Sequence, residues 1–254
     1  MPHSNKPDQA SGTLTLAIDI GGSHLKAGVL NDAGEMVSGP ERVETPKPAK
    51  PAAVVAALVE LAKPLGQFDR ISIGFPGVVR MGSVLTAPNL GTQDWHKFPL
   101  ASELSKDLGK PARMLNDASI QGLGVISGQG LECVLTMGTG MGFALFENGR
   151  LGPHLEMSQH PIKTGKTYDQ YVGEAALKRI GRSHWNRRMR KVIAIMNTLV
   201  NYDALYIGGG NARLLEQPLP EHVEVVSNQA GITGGVRLWD TRMNITFEEH
   251  GAFT

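Results

Sequence analysis

Apolar residues along this chain form short runs typical of strands and longer stretches with a helical period. Residues 14–45 contain three short apolar runs separated by turns, which predict three strands in a meander. Beyond the proline-rich connector at 46–51, Val54, Leu58 and Leu61 share one helical face and predict a helix. The next stretch predicts extended segments at 70–75, 84–87 and 113–116, and a short helix at 101–108.

The second half of the chain repeats the pattern of the first. Apolar runs at 133–137 and 141–146 on either side of a glycine loop again predict a strand, a loop and a returning strand. Helices are predicted at 118–127, 168–180, 185–201 and 231–238, and a strand at 204–207. We interpret the repeat as two α/β domains with a cleft between them. Their predicted bounds are 13–118 and 119–240, with a disordered start at 1–12 and a tail at 241–254.

Composition limits the classes of partner. The chain has 254 residues, of which 19% are charged, and a net charge of +1, so no nucleic-acid or membrane partner is expected. Its single cysteine, Cys133, excludes an internal disulfide and a cysteine zinc cluster, and no structural zinc is expected. The start of the chain lacks the apolar core of a signal peptide, and no run reaches the ~20 apolar residues of a membrane span. We therefore expect a cytoplasmic protein.

Two glycine-rich loops are the most informative local feature. One runs from Asp19 to Lys26 and the other from Thr136 to Gly142, each between two predicted strands. Glycines allow consecutive N–H groups to converge on an anion, so two facing loops predict a clamp on a chain of phosphates. Neither loop has the residue spacing of a P-loop or of a dinucleotide-binding motif, which argues against both of those nucleotide sites.

Two aspartates follow predicted strands close to these loops. Asp19 directly precedes the first pair of glycines, where its carboxylate either caps the turn or binds a Mg²⁺ ion bridged to the phosphates. Asp117 lies at the predicted domain junction, where it either caps the following helix or acts as a general base on an acceptor hydroxyl. The residue spacing alone leaves both alternatives open for Asp117.

Five motifs, taken in order, resemble those of the ROK sugar kinases, and among them most of all the polyphosphate glucokinases. They are Asp19-Ile-Gly-Gly-Ser with Lys26, and residues 74–79, 115–118, 135–142 and 206–211, with further likeness at 228–232. The resemblance implies two ribonuclease-H-like domains of the actin and hexokinase type. It also implies a Mg²⁺-dependent transfer of a phosphoryl group from polyphosphate, ATP or both to the 6-hydroxyl of glucose or a similar hexose. Such kinases are commonly dimers, so a homodimer is expected.

The resemblance also implies roles for individual residues. Asp117 is expected to be the catalytic base, and the sugar ligands are expected to be Asn89, Asn116 and Glu156. The first phosphate motif would comprise Asp19, Gly21, Gly22, Ser23 and Lys26, with Asp19 on the metal. The second would comprise Gly138, Thr139, Gly140 and Gly142, and the loop against a nucleotide's adenosine would comprise Gly208, Gly209 and Gly210.

One departure from the family pattern concerns the sugar. Members usually carry Glu-x-Gly-His, but this chain reads Glu156-Met-Ser-Gln159, with His160 one place late. Glutamine also donates and accepts hydrogen bonds, so either Gln159 takes the place of the histidine or a bulge brings His160 into the site. Because of this exchange, an ATP-dependent kinase of another sugar, such as fructose or an amino sugar, stays an alternative. A non-catalytic sugar sensor is the other alternative, because ROK relatives include transcription regulators.

The segment from Lys178 to Lys191 contains seven basic residues and no acidic one. Such a run either forms a solvated helix face or guides a polyanion toward the cleft. Arginine and lysine side chains that would form a polyphosphate track are Arg182, Arg187, Arg188, Arg190 and Lys191.

Overall fold

The protein is described by a computed structural model that covers residues 12–227 and 230–240. The predicted disordered start, apart from its last residue, the tail at 241–254 and the first two residues of the 228–232 segment lie outside these residues. Within the described ranges, no helix has the length and apolar character needed to cross a membrane.

The first half of the chain forms a five-stranded sheet with helices. Its elements are β1 (Thr15–Ile20), β2 (His24–Leu30), β3 (Met36–Glu44), α1 (Pro51–Ala62), β4 (Arg70–Phe75), β5 (Val79–Arg80), β6 (Ser83–Val84), α2 (Thr92–Trp95), α3 (Leu100–Leu108) and β7 (Ala112–Asn116). The strand order is β3-β2-β1-β4-β7. Strands β1 to β3 are antiparallel, as the predicted meander requires, whereas β1, β4 and β7 are parallel.

The second half repeats this topology. Its elements are α4 (Asp117–Leu123), β8 (Leu131–Met137), β9 (Met141–Glu147), β10 (Arg150–Leu151), β11 (Pro161–Lys163), β12 (Lys166–Thr167), α5 (Tyr168–Val172), α6 (Glu174–Val200), β13 (Ala204–Gly208), β14 (Val223–Val225) and α7 (Ala230–Arg237). The sheet order β10-β9-β8-β13-β14 matches the first sheet strand for strand, with three antiparallel strands followed by two parallel ones. Short 3₁₀ helices lie at Lys63–Leu65, Met157–Gln159 and Ala212–Leu214. The predicted duplication is therefore confirmed at the level of sheet topology.

Successive side chains of each central strand point to opposite faces of its sheet and pack against different helices. Leu16 and Ile18 of β1 pack in the core with α1, while Ala17 between them faces α7. In β8, Cys133 and Leu135 pack toward α6, and the intervening Val134 packs toward α4. This period of two places α4 and α7 between the sheets, with α1 and α3 on one outer face and α5 and α6 on the other.

Two predicted helices differ from the structure. The helix predicted at 118–127 ends at Leu123, where Gly124 caps it. In the loop that follows, the carboxylate of Glu132 accepts hydrogen bonds from the N–H groups of Ser127 (2.7 Å) and Gly128 (2.8 Å). The helix predicted at 168–180 ends at Val172, where Gly173 has an extended backbone, and a new helix starts at Glu174. That helix has one non-helical residue, Gly181, close to the break predicted after residue 180.

The last described helix, α7, crosses from the second half of the chain onto the first sheet. It packs against β1, β4 and α4. The hydroxyl of Ser72 on β4 donates to the carbonyl of Gly235 (2.7 Å) and accepts from the indole N–H of Trp239 (2.8 Å). The guanidinium of Arg113 lies 4.3 Å from the centre of the Trp239 ring. The predicted domain boundary between residues 118 and 119 stays a prediction. It did not anticipate that α7, from the second half of the chain, packs on the first sheet.

Candidate active site

Asp117 and Asn116 lie where β7 ends and α4 begins. Asn116 is the N-cap residue of α4: its side-chain oxygen accepts from the N–H of Ala118 at 3.0 Å. Its amide donates to the carbonyl of Gly77 at 3.1 Å, which ties the helix start to the loop after β4. Because Asn116 supplies the cap, the Asp117 carboxylate is not needed for that role, although it also accepts from Ala118 (2.8 Å). The predicted contact of Asn116 with sugar stays a prediction.

The surroundings of Asp117 favour its protonated form. Burial raises the pKa of this carboxyl to about 7, and the negative charges of Asp19 and Glu156 add to the rise. The N–H of Ala118 and the imidazole of His154 act in the opposite direction. A carboxyl with a pKa near neutrality can accept a proton and release it again at the pH of a cell, as a general base must.

The first glycine loop is a tight turn between β1 and β2. Its Gly21 N–H donates to the carbonyl of His24 (2.9 Å), and Thr45 binds the loop twice, through its hydroxyl to Gly21 (2.7 Å) and its N–H to Ser23 (3.0 Å). Gly22 lies against Asn89, because a Cβ placed on Gly22 would be 3.1 Å from the Cβ of Asn89. The structure therefore brings the predicted sugar ligand Asn89 next to the first phosphate motif.

Asp19 forms an ion pair with Lys26 across the β1–β2 pair, with 3.1 Å between Oδ2 and Nζ. About a third of the Asp19 side chain is exposed. One carboxylate beside a phosphate site is enough for Mg²⁺, which usually binds one or two carboxylates together with substrate phosphates. Among the described residues, no group of three or more acidic, histidine or cysteine side chains forms a ready-made metal site. The residues thus fit a metal that is held mainly by its donor.

The second glycine loop is held by α5, by α6 and by the turn that follows β13. The carbonyl of Gly138 accepts from the Asn211 side chain (3.2 Å), and the carbonyls of Gly138 and Thr139 accept from the N–H of Glu174 (3.1 Å each). At the far end of the loop, the Met141 N–H donates to Asp169 (2.7 Å). A Cβ on Gly138 would meet no atom within 4 Å, so this side of the loop faces open space.

The third predicted motif packs against the second loop. Gly208 lies against the side chain of Gln121 on α4, and Gly209 lies directly on the backbone of Met137, where any Cβ would overlap with it. Gly209 also has a φ of 87°, a conformation that favours glycine. Gly210 is exposed at the tip of this turn. The carboxyl ends of β8 and β13 are thus side by side, which is the usual place for ligands in parallel sheets.

A cavity of about 360 Å³ lies beside Asn116, a size typical of small-molecule sites. Val78 to Arg80 line it from the first half of the chain, and Leu151 to His154 line it from the second half. Glu156 is two residues beyond His154, and its Oε2 atom is 3.5 Å from the imidazole Nε2. Burial alone would raise the pKa of Glu156, but hydrogen bonds from His154 and Ser158 lower it overall.

Gln159 and His160 have different surroundings. The Gln159 amide donates to the hydroxyl of Ser158 (3.2 Å) and to Asp169 (3.3 Å), so it joins the hydrogen-bonded group around Glu156. The His160 ring instead packs near Tyr168, with 6.3 Å between ring centres. This arrangement favours Gln159 over His160 as the sugar ligand, which stays a prediction.

Two residues of this region were not among the sequence candidates. His154 lies in the cavity and contacts Glu156, and its position two residues before Glu156 in an extended segment was the available signal. Asp169 holds the second loop and meets Gln159; the capping box of Thr167 and Gln170 marks the helix start that places it there. Burial, then the charge of Glu156, raises the pKa of Asp169.

The basic segment divides between two faces of α6. Arg182 donates to the carbonyl of Leu214 (3.0 Å), and Arg190 pairs with Glu216 (3.3 Å). Arg187, Arg188 and Lys191 line a separate cavity near Tyr171. The five residues of the predicted track thus have two kinds of surroundings, Arg182 and Arg190 at the 214–216 segment and the other three at this cavity, and their role as a track stays a prediction.

Comparisons with known proteins agree with this architecture. The sequence profile of the ROK family matches residues 15–153. A polyphosphate glucokinase of Mycobacterium leprae (strain TN) is 30% identical over 254 residues, which cover 92% of this chain and 78% of that protein. The crystal structure of an inorganic polyphosphate/ATP-glucomannokinase from Arthrobacter sp. strain KM superposes with a TM-score of 0.80 at 24% identity, covering 92% of this chain and 99% of that one. A ROK family glucokinase from Streptomyces griseus, in complex with glucose and AMPPNP, superposes with a TM-score of 0.74 at 20% identity, covering 89% and 98%. The expected two-domain fold of the actin and hexokinase type is confirmed.

Proposed function

Because the chain belongs to the ROK family, we propose that it is a sugar kinase that transfers a terminal phosphoryl group to the 6-hydroxyl of glucose or a similar hexose. The observation that carries this proposal is Asp117, a carboxyl at the start of α4 whose pKa is raised to about 7 by burial and by the charges of Asp19 in the first loop and Glu156 in the sugar region. A base in this position can orient an acceptor hydroxyl toward a phosphate held by the glycine loops.

The sequence of events follows from the positions of the side chains. Glu156, with His154 beside it and Gln159 linked to it through Ser158, binds hydroxyls of the sugar next to the cavity that His154 and Asn116 line. Asp117 accepts the proton of the attacking 6-hydroxyl as the new P–O bond forms and the bond to the donor's leaving oxygen breaks. Closing of the two sheets on the substrates would exclude water and so limit hydrolysis of the donor.

Mg²⁺ is the metal that these residues fit. Asp19 would hold it together with donor phosphates, and when bound it offsets the negative charge of the phosphates. Lys26, 3.1 Å from Asp19, supplies a further positive charge at the same loop. Mg²⁺ on Asp19 and the ammonium of Lys26 would thus both place positive charge next to the terminal phosphate of the donor.

The donor that we propose is inorganic polyphosphate, with ATP as a second donor. Both the polyphosphate glucokinase of M. leprae and the Arthrobacter polyphosphate/ATP-glucomannokinase carry polyphosphate in their names, which supports this choice. The test is a phosphoryl-transfer assay with glucose, mannose, fructose and amino sugars against each donor. We expect the highest kcat/KM for glucose with polyphosphate. Highest turnover of another hexose with ATP would favour the alternative kinase, and stabilisation by a sugar without turnover of any pair would favour a sensor.

A pH profile provides a second test. Asp117 acts as a base only when ionised, so kcat/KM for the hexose is expected to decrease about tenfold per pH unit below about pH 7 and to be constant above it. Stability changes in the opposite direction. Because the folded-state pKa lies above the ordinary value of 3.8, this carboxyl's contribution to the free energy of unfolding decreases as the pH rises from about 4 to about 7. Activity that is flat from pH 5 to 8, measured with saturating donor, would contradict the assignment of the base.

A further inference from the structure

A second cavity, of about 270 Å³, lies outside the site described above and shares no lining residue with the cavity beside Asn116. We name it the Tyr171 pocket. Its lining consists of Tyr171, Ile180, His184, Arg187, Arg188 and Lys191. Tyr171 comes from α5 and the other residues from α6, so the pocket is built by two consecutive helices.

Tyr171 organises the cations around this pocket. The guanidinium of Arg188 lies 4.5 Å from the centre of the tyrosine ring and also donates to the Tyr171 carbonyl at 2.8 Å. The ammonium of Lys163, on β11, lies 5.8 Å from the same ring. Two positive groups from different elements are thus positioned by one aromatic ring before any ligand binds.

The positive charge here lacks acidic partners. The charge of Arg179, followed by burial and then the charges of Arg188 and Lys163, lowers the pKa of Lys166 on β12. Elsewhere on α6, Lys178 pairs with Glu174 and Arg190 pairs with Glu216. Among residues 12–227 and 230–240, no ion pair with an acid involves a basic residue at the pocket, namely Lys163, Lys166, Arg179, Arg187, Arg188 or Lys191. Such an excess of like charge is typical of a polyanion site.

The pocket adjoins the second glycine loop through α5. Two residues before Tyr171, Asp169 accepts from the Met141 N–H of that loop. Two residues after it, Gly173 lies against the carbonyl of Thr139. Tyr171 therefore lies in a short segment that contacts the second glycine loop on both sides of it. A phosphate chain that leaves the loop on this side can reach the pocket only if it is longer than a short donor such as tripolyphosphate.

We propose that the Tyr171 pocket binds the inner phosphates of a linear inorganic polyphosphate whose terminal phosphoryl group lies at the second glycine loop. This inference rests on the proposed function for the position of the reacting end. Arg187, Arg188 and Lys191 of the lining belong to the site, together with Lys163, whose ammonium lies over the Tyr171 ring. Short donors such as ATP and tripolyphosphate end before they reach it, so the pocket selects for chain length.

The test compares two double variants with equal charge removed from the same helix. In Arg187→Gln/Lys191→Gln both side chains are exposed pocket residues, and we expect KM for long-chain polyphosphate to rise about tenfold, with a shallower dependence of KM on salt. KM for ATP and for tripolyphosphate should stay unchanged. The matched control is Arg182→Gln/Arg190→Gln, whose side chains contact Leu214 and Glu216, and it should leave all three KM values within about twofold.

Direct binding separates this inference from the proposed function. Fluorescence anisotropy with labelled long-chain polyphosphate should show weaker binding for the pocket variant than for the control, whether or not the wild-type protein transfers phosphate to a hexose. If binding depends on the pocket but no phosphate is transferred, the proposed donor is contradicted and the inference that the pocket binds polyphosphate stands. No binding by the wild-type protein, equal loss in both double variants, or equally tight binding of a single-stranded RNA of similar length would overturn the pocket.

Discussion

Replacement of Asp117 by asparagine is expected to lower kcat by a factor of about 10² to 10⁴, the usual contribution of general acid–base catalysis. Asparagine keeps the size of the side chain and the oxygen that accepts from the Ala118 N–H, but it cannot take the proton of the hexose hydroxyl. The KM of the hexose should change little, because Glu156 and the cavity beside Asn116 are unaltered.

A measurement of the unfolding temperature tests whether the Asp117→Asn protein loses activity only because it is less stable. The ionised Asp117 is disfavoured by burial and by the charges of Asp19 and Glu156, and the neutral asparagine removes this cost. We therefore expect the Asp117→Asn protein to unfold at a higher temperature than the wild type at pH 8. The assignment fails if turnover stays within a few-fold of wild type, or if activity falls only together with the unfolding temperature.

Replacement of Gly234 by alanine is expected to lower the free energy of unfolding by about 3 kcal/mol, which for a chain of this size lowers the unfolding temperature by about 6–12 °C. A Cβ on Gly234 would overlap with the carbonyl oxygen of Ile120 in α4 and lie 3.0 Å from the N–H nitrogen of Gly124, the residue that caps the end of α4. The backbone of a packed helix cannot move aside as a flexible side chain can, so α7 must shift away from α4.

Gly138→Ala is the matched control for this substitution. A Cβ at this position meets no atom within 4 Å, so the unfolding temperature should stay within about 2 °C of wild type, while the methyl group enters the space assigned to phosphate and raises KM for the donor. Differential scanning calorimetry and donor kinetics on both variants give the two readouts. Similar unfolding temperatures for the two variants would contradict the close contact of α7 with α4.

Local chemistry explains which parts of the fold could be predicted from the sequence. The strand at Arg70–Phe75 is flanked by loop residues and carries the apolar side chains of a buried strand, so its bounds are those predicted. The repeated strand-loop-strand pattern also led to the correct topology, because adjacent antiparallel strands depend on short-range turns. The helix predicted at 118–127 was too long: it ends at Leu123, and Ser127 and Gly128 lie in a loop held by Glu132, which is beyond the predicted helix.

The site was harder to predict where it depends on distant contacts. Asp117 and the glycine loops are contiguous motifs, and they could be found by spacing and by resemblance. Asp169 belongs to no such motif, and its importance comes from the contact with Met141, 28 residues away in the sequence, that only folding creates. The composition of the basic segment, likewise, does not show which of its side chains lie on which face of the helix. The buried side chains Trp185 and Asn186 orient the helix, and this decides which arginines meet Tyr171.

The crossing of α7 onto the first sheet has a consequence for synthesis on the ribosome. Ser72 bonds to Gly235, a contact 163 residues apart in the sequence. When the five strands of the first sheet have left the exit tunnel, one face of that sheet, around Ala17 and Ser72, still awaits the helix that will cover it. Contacts of such long range slow folding, so the nascent first half must remain soluble with an uncovered face until translation is nearly complete. Chaperone demand for this protein should therefore be greatest late in translation.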